Sequence, residues 1–83
     1  MVIKCQVKFY GIIADIIGKN EEKIEFSGFV PTLNDIKLLL EKAAPDCKEV
    51  TYLFAVNQAI VSDLNLKLKE SDEIALLPAF SGG

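Results

Sequence analysis

The residues best placed to do chemistry are the last six, Pro78-Ala79-Phe80-Ser81-Gly82-Gly83. With glycine near 7% of average composition, two in the final two positions arise by chance at about 0.5%. Gly-Gly is backbone without side chains, so it can thread a narrow channel and present a terminal carboxylate to another protein's active site. Phe80 is an apolar anchor just upstream, and Ser81 a small polar contact. This places the reactive group at the Gly83 carboxylate, with the machinery that acts on it in a partner.

The rest of the inventory supports that placement by elimination. The chain has no histidine, which removes the usual general base, the commonest zinc ligand and any Ser-His-Asp arrangement. It has no arginine either, so it lacks the fork that clamps phosphates. Gly11, Gly18 and Gly28 are too widely spaced for a phosphate loop. The pair Asp72-Glu73 falls at a turn beside a strand, where two carboxylates are expected to be solvated. Two cysteines are too few for a disulfide framework and lack metal spacing. Cys5 is in phase with Ile3, Val7 and Phe9 and is expected to be buried. Cys47 follows a helix end and is expected to be exposed, and no bridge between the two is expected in a reducing compartment. An autonomous enzyme is not expected, nor a bound metal or a stably bound cofactor.

Eighty-three residues fit one domain, and an apolar fraction of 51% is enough for one core. The net charge of −3 argues against nucleic acid, which needs a clustered basic surface, and favours a basic protein partner. Met1 to Gln6 alternates apolar and polar residues, unlike the apolar run of a signal peptide. No stretch approaches the ~18 apolar residues of a membrane span. The expectation is a cytoplasmic protein without a membrane partner.

The elements that must position the terminus follow from periodicity. Residues 2–10 alternate as a strand, with Ile3, Cys5, Val7 and Phe9 on one face and Tyr10 on the other. Ile12, Ile13, Ile16 and Ile17 predict a short helix that Gly18 ends. Lys23 to Ser27 predict a second strand. Thr32 and Asp35 resemble a capping box opening the main helix, with Leu33, Ile36, Leu39, Leu40, Ala43 and Ala44 as its apolar stripe. Leu38 falls outside that stripe, and Pro45 stops the helix. Residues 51–61 read as a strand, a corner at Asn57-Gln58 and a short strand; Asp63 and Asn65 signal a turn. Glu73 to Leu77 form a last strand that Pro78 terminates. Strand, short helix, strand, long helix and strands suit a mixed sheet with the helix across one face, an α+β β-grasp (ubiquitin-like) roll. A ferredoxin-like split βαβ would want a second long helix. The expected organisation is a β-grasp domain over 1–78 and a mobile tail over 79–83. Alternation leaves Tyr10 and Leu77 on the face away from the helix, with Val61 as a further member, an apolar set expected to dock a partner.

The segment Phe54-Ala55-Val56-Asn57-Gln58-Ala59-Ile60-Val61, then Asp72-Glu73-Ile74-Ala75-Leu76-Leu77-Pro78 and Ser81-Gly82-Gly83, resembles the small subunit of molybdopterin synthase. Val7-Lys8-Phe9-Tyr10-Gly11 through Gly18 is similar to that family's first strand and short helix. The resemblance implies a β-grasp sulfur carrier. Gly83 would be adenylated by a ubiquitin-activating-like enzyme using ATP, and sulfur from a donor protein would replace the adenylate. The thiocarboxylate would then enter the large synthase subunit and give its sulfur to a pterin precursor of the molybdenum cofactor. Gly82 is the slim spacer in this scheme. The chain departs from the family pattern at Ala79, where a second proline is usual, at Ala14, where a basic residue is common, and at Ser71, where glycine is common. The alternatives are the sulfur carrier of thiamine thiazole synthesis, a ubiquitin-like modifier joined to lysines, and an interaction domain whose tail is never activated.

Overall fold

The alternation of the first nine residues is realised as β1, Val2–Phe9, whose Ile3, Cys5, Val7 and Phe9 are all buried. The structure is a computed structural model that describes residues 1–79. After β1 come α1 (Gly11–Ile17), β2 (Glu21–Ser27), α2 (Leu33–Ala43), a 3₁₀ turn (Pro45–Glu49), β3 (Tyr52–Val56), β4 (Ala59–Val61) and β5 (Glu73–Pro78). The strands form one sheet in the order β2-β1-β5-β3-β4. β1 and β5 pair in parallel at its centre, and the other neighbours are antiparallel. This is the β-grasp arrangement, a mixed sheet with α2 across one face. No helix among the described residues is long and apolar enough to cross a membrane.

α2 begins where the capping chemistry places it. The Asp35 carboxylate accepts from the Thr32 backbone N–H at 2.8 Å and from the Thr32 hydroxyl at 3.2 Å. Helix starts leave backbone donors unpaired. Here the N–H groups of Leu33 and Asn34 donate to the carbonyls of Leu66 and Leu64, at 3.0 and 2.9 Å. The irregular segment between β4 and β5 therefore closes the core at this end and buries Leu68. Leu33, Ile36 and Leu40 face the sheet and meet Val7, Phe54, Ile74 and Leu76 in one cluster. Each such side chain contributes about 1.5–3 kcal/mol by leaving water.

Several boundaries and environments differ from the sequence reading. β2 starts at Glu21, two residues earlier, because its charged start pairs with Lys8 and Val7 across the ladder. Leu39 and Ala43, placed in the core stripe of α2, are exposed. The sheet contacts only the narrow line of Leu33, Ile36 and Leu40, and Leu39 points roughly 90° to the side of it at about 100° per residue. Cys47, expected to be exposed, is fully buried. Pro45 does end α2, but the chain then winds into the 3₁₀ turn, where Cys47 N–H donates to Ala44 O at 3.0 Å and the side chain turns inward. Cys5 is buried as expected, and both cysteines are free.

Candidate docking face and carboxyl terminus

β5 runs along the middle of the sheet to Pro78. Its last residues are held on two sides. Pro78 pairs with Tyr52 of β3, and the Ala79 N–H donates to Thr51 O at 3.0 Å, so the ladder extends one residue past the Pro78 boundary. On the other side the start of α1 lies against Pro78. Gly11 has φ +56°, and a Cβ added there would sit 2.8 Å from Pro78 Cγ. Only a residue without a side chain fits that approach in that conformation. Tyr10 N–H donates to Leu76 O at 3.3 Å, tying the same corner to β5. Phe80, Ser81, Gly82 and Gly83 lie outside the described residues.

Beside this corner the face of the sheet not covered by α2 is apolar. Leu53 pairs with Leu77, Ala55 with Ala75, and Ala55 on its other side with Ile60. Leu53 and Ile60 are 44% and 59% exposed, and Tyr10 stands exposed at the end of the patch. Leu77 is half-buried among them. Tyr10 and Leu77 thus sit as the alternation placed them. Val61 does not join them: it pairs with Phe54 and packs against the core beneath α2. The cause is the turn between β3 and β4. Asn57 and Gln58 have φ +51° and +73°, a tight two-residue hairpin that sets Val56 opposite Ala59. Counting from that register turns Ile60 outward and Val61 inward. Leu53 and Ile60 were legible from the same alternation once the hairpin length was fixed.

Toward β1 and β2 the same face becomes charged. Lys8 Nζ lies 3.6 Å from Glu73, and Gln6 Nε2 donates to Glu21 at 2.8 Å. Both signs are interleaved there, so this half favours no single sign of ligand.

The pair Asp72-Glu73, expected to be solvated, is half engaged in structure. Asp72 is buried and accepts from Asn57 Nδ2 at 2.9 Å and from Lys69 N–H at 2.8 Å. Asn57 also exchanges bonds with Glu73, donating its backbone N–H to Glu73 O at 2.7 Å and accepting from Glu73 N–H at 3.0 Å through Oδ1. One amide side chain therefore ties the β3–β4 hairpin to the start of β5, which accounts for Asn57 and Asp72 in the motif that stood out in the sequence. Elsewhere, Tyr52 hydroxyl donates to Glu41 at 3.2 Å, and Lys37 holds the same carboxylate at 3.0 Å. The Lys37 contact lowers the Glu41 carboxyl below its ordinary value, whereas burial and the Glu41 charge push the Tyr52 phenol well up. Burial raises both thiols, helped by Asp72 and Glu70 at Cys5 and by Glu41 and Asp46 at Cys47. Among the described residues no group of three or more His, Cys, Asp or Glu side chains is arranged to hold a metal ion.

The family model described as the ThiS family matches residues 7–83, nearly the whole chain and through Gly83. The chain belongs to the ThiS family. No curated protein matches the sequence significantly. Among solved structures, a Pyrococcus furiosus protein assigned as molybdopterin converting factor subunit 1 superposes with a TM-score of 0.83 at 23% identity, over 94% of this chain and 99% of that one. The small archaeal modifier protein 1 of Methanosarcina acetivorans gives 0.80 at 22% identity, over 100% and 99%. A chain of the Helicobacter pylori complex of subunits 1 and 2 of molybdopterin-converting factor is also similar, with a TM-score of 0.70 at 25% identity, over 98% and 100%. The ThiS-family chain thus shares its fold with a converting-factor subunit 1 and with an archaeal modifier.

Proposed function

We propose that this chain is the sulfur-carrying subunit of a molybdopterin-synthesising sulfurtransferase, with Gly83 as the residue that bears sulfur. The observation that carries the reading is the family match running through Gly83, on a fold whose last described residues are clamped beside an exposed apolar face. In this reading the domain does no catalysis itself. The Gly83 carboxylate oxygen attacks the α-phosphorus of ATP in an adenylating enzyme, and pyrophosphate leaves. The outer sulfur of a donor protein's persulfide then attacks the acyl carbon and expels AMP, giving an acyl disulfide. A thiol attacks the donor-side sulfur of that bond, forming a new disulfide with the donor and releasing the thiocarboxylate. Adenylation is needed because a bare carboxylate offers no good leaving group. Phe80, Ser81 and Gly82 contact the partner as the terminus threads its channel, and Tyr10, Leu53, Ile60 and Leu77 form the surface that docks it. ATP is consumed by the activating enzyme and is not a resident cofactor of this chain. In this reading the catalytic residues and the pterin belong to a large partner subunit; the Helicobacter pylori complex of subunits 1 and 2 of molybdopterin-converting factor supports a partner of that kind.

Likeness to archaeal modifier proteins supports a second reading, in which the activated Gly83 is joined to target lysines. Presenting the thiocarboxylate form to a large synthase subunit loaded with pterin precursor separates them. Sulfur transfer to the pterin, with the carrier released as its carboxylate, is the expected result. Formation of an isopeptide with protein lysines, or sulfur transfer only to a thiazole precursor, would replace this reading with one of its alternatives.

A further inference from the structure

The outer face of α2 carries an apolar patch with no role in the docking face or the core. Leu38 and Leu39 are 56% and 43% exposed, and beside them Phe29 is 48% exposed, with its ring edge-on to Phe26 at 5.7 Å. One exposed leucine is ordinary on a protein surface, but adjacent leucines with a flanking aromatic are not. Together they form a shallow groove of about 430 Å³, rimmed by Asp35, Lys42 and Glu25.

The ends of the patch identify its occupant. Asp35 and Lys42 lie two helical turns apart on this face, one beyond each end of the leucine pair; neither is in an ion pair among the described residues, and the Asp35 capping bonds to Thr32 use only Oδ2. A two-fold axis perpendicular to α2, lying just outside it at the level between Leu38 and Leu39, sets the helix antiparallel to its own copy. That alignment sets Leu38 against Leu39 of the partner subunit and Asp35 against Lys42 of the partner subunit, twice over. Charges and apolar groups match when the face meets itself, which is what an isologous interface requires. The patch flanks the end of β2 that pairs with Val2 and Ile3, roughly 20 Å along β1 from the Phe9–Leu76 corner.

We infer that α2 is the interface of a weak, reversible homodimer, with the helices antiparallel and Leu38, Leu39 and Phe29 at its centre. The interface is small, below the area of tight complexes, so association occurs at high protein concentration. α2 covers the sheet face opposite Leu53, Ile60 and Leu77, so the dimer leaves both docking faces free. Sedimentation of the full chain from micromolar to millimolar concentration tests this. The expected result is a reversible monomer–dimer equilibrium that weakens with salt. Leu38→Glu and Lys42→Glu, both at exposed positions, should each raise the dissociation constant about tenfold or more without lowering the melting temperature. A chain that stays monomeric at millimolar concentration, or a dimer that survives both substitutions, overturns the inference. So does an NMR titration in which the Leu38 and Leu39 amide signals ignore protein concentration and move only when a large subunit or an activating enzyme is added.

Discussion

Asn57 concentrates more structural work than any other polar residue described. Its side chain satisfies buried Asp72 and the Glu73 N–H together, while its own backbone sits at φ +51°, a conformation asparagine tolerates better than most residues. Asn57→Ala removes both bonds and leaves alanine in that conformation. The expected loss is about 2–4 kcal/mol, read as a lowered melting temperature and denaturant midpoint. A loss below half a kilocalorie or so would mean that water replaces the amide without cost. The cysteines give a second residue-scale prediction. Both thiols have raised pKa values because burial disfavours the thiolate. The unfolded chain ionises first, so the stability they contribute is full below the ordinary value of 9.0 and falls as pH rises beyond it. Cys47→Ala should flatten the alkaline decline of stability, measured by denaturant melts across that range. The native protein should also resist thiol alkylation until it unfolds. Cys47 and Asp72 were the residues hardest to read from sequence. Their burial depends on a 3₁₀ turn and on a hydrogen-bonding partner fifteen residues away, and neither leaves a periodic trace.

At the scale of elements, the strands and helices follow the hydrophobic periods closely, because alternation and the Thr32–Asp35 cap are local signals. Two features were not local. How much of α2 the sheet covers decides whether Leu39 is core or surface, and the length of the β3–β4 turn decides whether Ile60 or Val61 faces outward. The resulting face makes a contrast that experiment can read. Leu53→Asp and Ile60→Asp replace exposed side chains, so each should shift stability by no more than about 0.5 kcal/mol. Each should nevertheless weaken binding to a large synthase subunit about tenfold or more, measured by calorimetric titration. Val61→Asp places a charge against the core and should cost several kcal/mol, on the order of 2–4. If Val61→Asp melts like the wild type while Ile60→Asp unfolds the domain, the assigned faces are reversed.

For the whole molecule, the architecture braces the end of β5 on a small core. The central β1–β5 pair, the Gly11–Pro78 approach and the Ala79–Thr51 bond hold Pro78 and Ala79 beside the apolar face. The carrier reading itself was legible in the sequence, because Gly82-Gly83 and the segments around Asn57 and Asp72 are short motifs. The placement of the docking face needed the register. The most direct test of the account is intact mass measurement after incubation with ATP, an adenylating enzyme and a sulfur donor. The same incubation is run on the wild type, on a chain lacking Gly83 and on one with a residue added after it. The account predicts that the wild type alone gains the mass of one oxygen replaced by sulfur, localised to Gly83, while both variants stay folded and unmodified. Sulfur appearing on the extended chain, or on Cys5 or Cys47 of the wild type, would contradict it.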